Sequence, residues 1–140
     1  HGGPGGDHSG FKPGMTPLAS RMQLVYIDHR GQGRSAKDDP ARYTLDENVE
    51  DMEALRRHLG LGPIVSIGTS YGGMVAQAHA ARYPASVSHL VLIVTASHAG
   101  STSAPARSSP SAARRSRTRC ATSSGPANSI AWKNCAIITI

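Results

Sequence analysis

No Asp or Glu occurs from Ala99 to Ile140, although that stretch carries five Arg and one Lys. The other nine Lys/Arg and all nine Asp/Glu come earlier, so residues 1–98 are neutral and the formal charge of +6 belongs to the C-terminal segment. An average over the chain therefore describes neither part. No apolar run reaches eighteen residues, which argues against a membrane-spanning helix. The first residues do not show the charged, apolar and small-residue order of a signal peptide, so localisation is left open with the cytoplasm favoured. There are only two cysteines, Cys120 and Cys135, and they have no spacing motif for metal or redox chemistry. A disulfide between them stays open. No metal ligand set or cofactor motif is read anywhere in the chain.

The 140 residues suffice for one domain with a sizeable core. After a glycine-rich opening, "HGGPGG", and a short helix over Thr16–Ser20, the apolar run "MQLVYID" at Met22–Asp28 reads as a buried strand that ends in the turn "HRGQGRS". Leu45, Val49, Met52, Leu55 and Leu59 then form one helical stripe, with Thr44 and Glu47 spaced as a capping box and Gly60 as the stop. "PIVSIG" at Pro63–Gly68 is a second strand, followed by a small-residue helix that Pro84 closes. "SHLVLIVT" at Ser88–Thr95 is a third strand, apolar on both faces. Apolar strands alternating with helices predict an α/β fold with a mostly parallel, doubly wound sheet covered on both sides.

The sharpest chemical signal is Gly68-Thr69-Ser70-Tyr71-Gly72, a G-x-S-x-G placed where a strand ends and a helix opens. Flanking glycines allow the strained turn that lifts the Ser70 hydroxyl out of the sheet, at the positive end of the helix dipole. A plain glycine-rich turn between strand and helix is the alternative. A serine nucleophile needs two N–H donors for the oxyanion that forms on attack. The backbone N–H of Tyr71 supplies one, and the opening loop can supply the other through Gly3, where glycine lets a substrate carbonyl approach. Read alone, the opening loop is a tight turn stiffened by Pro4.

A general base is harder to find. His1, His8 and His29 precede Ser70, whereas this architecture places the nucleophile first, then the acid, then the histidine. His79 falls inside the following helix, His89 opens the third strand, and His98 has no acid after it, so each reads as structural or exposed. Asp28 and the "RGQGRS" turn lack the third glycine and the long helix of a dinucleotide site; a structural turn is the better reading.

Together, "HGGPGG", "YIDHRGQGRS", "YTLDENVEDMEALRRHLGL", "GTSYGGMVAQAHAARYP" and "LVLIVTAS" resemble the α/β-hydrolase superfamily, and within it the proline iminopeptidase branch. The resemblance covers about His1 to His98. It implies a serine hydrolase that releases N-terminal residues, often proline, from short peptides without metal or cofactor, with esterase-type hydrolysis as the alternative. It matches Ser70 to the nucleophile and Gly3 and Tyr71 to the oxyanion donors. The family's catalytic Asp and His have no counterpart here, so the chain as written is expected to be inactive. In that family a strand precedes the glycine loop, and on this ground a chain opening at His1 is expected to be a fragment. The expected organisation is thus an incomplete α/β-hydrolase core over residues 1–98 and a separate segment over 99–140.

That segment reads either as a disordered basic tail able to bind nucleic acid or as coding sequence translated out of frame. A single aromatic residue and no patterned basic helix argue against nucleic acid. A shifted frame permits "LDSLEELRDYYD" in place of the last residues, an amphipathic helix with the period that the given text lacks. Out-of-frame translation is the favoured expectation. The partner is then a small peptide or ester substrate, with neither nucleic acid nor membrane.

Overall fold

The computed structural model describes residues 1–97 and 136–139. His98, Cys120, Cys135 and most of the basic segment lie outside the described residues. In chain order the elements are α1 (Lys12–Met15), β1 (Gln23–Tyr26), α2 (Leu45–His58), β2 (Ile64–Thr69), α3 (Tyr71–Arg82), β3 (Val87–Ile93) and β4 (Ala136–Thr139). Thr16–Ser20 forms a 3-10 helix opened by Pro17.

The four strands form one sheet in the order β1-β4-β2-β3, and every pairing is parallel. The segment expected to stand apart thus sends four residues into the middle of the sheet. β1 and β2 do not pair with each other; the gap between them offers two rows of backbone donors and acceptors, and an Ala-Ile-Ile-Thr run rich in β-branched residues satisfies both. β1 is shorter than the expected Met22–Asp28 because its ladder ends with its partner, at the pair Tyr26–Thr139. β3 stops at Ile93 because Val94 adopts φ 44°, which no strand accommodates.

α2 begins as its sequence implies. Thr44 Oγ1 accepts the Glu47 N–H at 3.2 Å, acids fill the first turn and Arg56, Arg57 and His58 the last. Glu47 does not complete the reciprocal half of the capping box; its carboxylate pairs with Arg30 and Arg42 instead. Val49, Met52, Ile64, Val75 and Ala76 form the buried core, joining α2, β2 and α3, with Leu45 and Tyr71 packed against it. Leu59, expected on the buried stripe, lies exposed in the last turn.

Beneath α3, Glu53 is buried and accepts hydrogen bonds from Arg56, Arg57 and Ser86 and meets His79 Nε2 at 3.0 Å. Those partners, the Arg56 bonds foremost, hold its carboxyl well below the usual range despite burial. α2 and α3 pack on each other and α3 packs on β2 and β3, while Leu90 and Leu92 on one face of β3 and Val91 on the other are 38–42% exposed. β1 and β3 are the edge strands, so among the described residues one side of the β3 backbone has no strand partner.

Candidate active site

Ser70 sits where β2 gives way to α3, with φ 51° and ψ −117°. A non-glycine residue in that region is costly and persists only where its surroundings over-determine it. Here they do. The Ser70 N–H donates to Ile93 O at 3.1 Å, and its carbonyl accepts from Gly73 N–H at 3.0 Å and from Thr95 Oγ1 at 2.6 Å. The turn also needs the helix to lie against the strand: a Cβ on Gly68 would strike the Gly72 backbone, and one on Gly73 would strike Thr95. The result is a serine at the exposed carboxyl edge of a parallel sheet.

The opening loop docks on this turn. Gly72 N–H donates to His1 O at 3.1 Å, and a Cβ on Gly2 would lie 3.3 Å from Ser70 Cβ. Gly3 has φ 143°, and its Cβ position is hemmed in by Gly5 N and Gln32 Oε1. Gln32 in turn accepts the Gly5 N–H at 3.0 Å, tying the loop to the turn after β1. Among the described residues neither the Gly3 N–H nor the Tyr71 N–H has a protein acceptor. The structure thus brings Ser70, Tyr71 and the Gly3 loop to one edge.

Of the histidines that precede Ser70, His1, His8 and His29 serve the loop, and His58 lies exposed at the end of α2. His1 is buried; its Nδ1 meets Gly2 O at 2.7 Å and its Nε2 accepts the backbone N–H of His29 at 3.1 Å. That pattern requires the neutral ring with its proton on Nδ1. The His29 ring lies 4.4 Å from His1 and 5.1 Å, edge-on, from Tyr71. Burial above all lowers the His29 pKa to about 4. Asp28 is the anchor below them: it accepts from His8 N–H at 2.8 Å, His8 Nδ1 at 2.9 Å and Arg34 N–H at 2.9 Å. Burial pushes the Asp28 carboxyl up, but these donors more than offset it and hold it below the ordinary value. The structural reading of Asp28 and its turn agrees with this arrangement.

Among the described residues the histidines that follow Ser70 do not reach the site. His79 is fully buried against Glu53, His89 lies exposed on β3, and among the described residues no histidine or carboxylate hydrogen-bonds the Ser70 hydroxyl. No group of three or more His, Cys, Asp or Glu among the described residues could hold a metal ion. Two contacts were not read from the sequence: Gln32, which offers no local signal, and Asn48, a polar residue inserted in the apolar stripe of α2, which does.

A model of the alpha/beta hydrolase fold matches residues 1–118. The chain belongs to the alpha/beta hydrolase family. Its relatives include the proline iminopeptidase PfmaB of Pestalotiopsis fici, 36% identical over 100 residues that cover 69% of this chain and 34% of that protein. A proline iminopeptidase of Saccharolobus solfataricus is 40% identical over 87 residues, 59% of this chain and 27% of the relative. A Caulobacter vibrioides protein provisionally named a carbamate hydrolase is 35% identical over 91 residues, 65% and 34% of the two chains. This alpha/beta hydrolase chain spans about a third of the length of the curated relatives it matches. No described helix is long and apolar enough to cross a membrane.

Proposed function

We propose that the chain carries the nucleophile and oxyanion half of a serine hydrolase of the proline iminopeptidase type. Ser70 Oγ attacks the carbonyl carbon that follows an N-terminal residue, often proline, and the carbonyl oxygen becomes an oxyanion held by Tyr71 N–H and Gly3 N–H. Collapse expels the amine of the shortened peptide and leaves the N-terminal residue as an ester on Ser70, which water then releases. The observation that carries this reading is the strained φ of Ser70, held against a glycine loop, with the Gly3 and Tyr71 N–H groups lacking a protein acceptor among the described residues. The relatives named as proline iminopeptidases support the substrate class.

Both proton transfers need a general base and its acid. No Asp or Glu follows Ser70 in the chain, so the base is not assigned to any residue here, and the polypeptide by itself binds but does not turn over. The test uses a prolyl boronate, whose boron becomes tetrahedral on bonding a serine oxygen. The chain is expected to give the tetrahedral boron NMR signal, Ser70→Ala to give none, and neither to release nitroaniline from prolyl p-nitroanilide. Equal adduct formation by Ser70→Ala overturns the nucleophile. A Ser70-dependent rate overturns the inactivity.

A further inference from the structure

Asn48 is buried between Leu45, Val49 and Met52 on the face of α2 that meets the core, a place where an apolar side chain would be expected. Each polar atom of its amide is engaged. Nδ2 donates to Thr44 O at 2.9 Å and to the Tyr71 hydroxyl at 3.0 Å, while Oδ1 accepts the Arg30 N–H at 3.2 Å. One side chain therefore joins α2, the loop after β1 and the first residue of α3.

The Tyr71 contact bears on the site. The hydroxyl is held at the far end of the ring by Asn48, and the ring face is fixed by the edge-on contact with His29. His29 holds His1 through its backbone N–H, and His1 accepts the Gly72 N–H, so the next peptide along is clamped by the same assembly. The strained Ser70 turn can relax most simply by rotating the Ser70–Tyr71 peptide, which would swing the Tyr71 N–H away from the oxyanion. A ring pinned at its tip opposes that rotation.

We propose that Asn48 is a positioning residue of the oxyanion hole: by holding the Tyr71 hydroxyl it fixes the direction of the Tyr71 backbone N–H. This rests on the assignment of Ser70 and Tyr71 made above. Preorganisation of an oxyanion donor is where a small misplacement costs most, because the donor must already point at the charge as it develops.

The experiment is a double-mutant cycle on the full chain with Asn48→Ala, Tyr71→Phe and their combination, with Asn48→Asp as the conservative variant. Two quantities are read: the dissociation constant of the prolyl boronate and the hydrogen-exchange rate of the Gly72 amide. Each single variant is expected to weaken the boronate about tenfold, roughly the size of one hydrogen bond, and to speed Gly72 exchange by a similar factor. The double variant should lose no more than either single one. Asn48→Asp, whose carboxylate can accept from both the Tyr71 hydroxyl and the Arg30 N–H but loses the donor to Thr44 O, should restore part of the affinity. Additive losses, or affinity and Gly72 exchange unchanged in Tyr71→Phe, overturn the proposal. Tyr71→Phe removes one oxygen and keeps the ring, so it gives an answer even if Asn48→Ala fails to fold. If Ser70→Ala binds boronate as well as the parent chain, the nucleophile assignment falls instead, and the exchange rate of Gly72 alone decides whether Asn48 positions Tyr71.

Discussion

Burial of neutral His29 makes the stability of the chain depend on pH. Its pKa falls from 6.5 in the unfolded chain to about 4 in the fold, above all because the ring is buried. Between those values the unfolded chain binds the proton and the folded one does not, so stability rises with pH. The contribution is complete above pH 6.5 and is lost as the pH falls toward 4. At about 1.4 kcal/mol per pH unit the span amounts to about 3 kcal/mol, a large share of the stability of a small domain. The depressed carboxyls of Glu53 and Asp28 act in the lower range: their stabilisation is present above their unfolded values of 4.5 and 3.8 and is lost only below them. Urea unfolding followed by circular dichroism at pH 7, 5.5 and 4.5 should therefore show a steep fall in the parent chain. His29→Phe keeps a ring against Tyr71 and the backbone N–H that His1 accepts, but it cannot titrate, and its fall over the same interval should be smaller by about 3 kcal/mol. An equal slope in the two chains would refute the assignment of this pH dependence to His29.

Gly73→Ala places a methyl group against Thr95 and should lower stability by about 1–3 kcal/mol, read as a drop in Tm, whereas Ala at the open position Gly62 should not. Val94→Gly removes a β-branched side chain from φ 44° and should raise the unfolding free energy by about 1 kcal/mol, with no gain if the strain is absent. Sequencing the coding DNA onward from the codons of Ser97–Gly100 and translating the alternate frame should lead to an Asp and then a His, the order expected after the nucleophile; a given frame that stands would overturn the frame reading.

How much of this was legible follows from the range of the forces involved. The cap of α2 depends on Thr44 and its neighbours within one turn, and the elbow depends on Gly68, Gly72 and Gly73 within six residues, so both can be read from spacing alone. The burial of His1, His29 and Asp28 depends on partners twenty or more residues away, which no local period records. Leu59 followed the helical stripe yet stayed exposed, because the stripe says which face a residue lies on and not how far the neighbouring element extends. β4 was missed for the same reason, since four β-branched or small residues in a basic segment mean little until a gap between two strands is there to receive them.

The site divides along that same line. The groups proposed to touch a reacting atom, Ser70 and the N–H groups of Gly3 and Tyr71, lie in short glycine-flanked motifs whose chemistry demands particular residues in sequence. What braces those motifs, Asn48, Gln32, His29 and Asp28, comes from α2 and the loop after β1 and reaches them through hydrogen bonds and ring contacts in the fold. A strained serine needs both: the motif permits φ 51°, and the distant anchors stop it from relaxing. Substitutions in the second set should therefore leave the motif intact in sequence while loosening the geometry that gives it meaning.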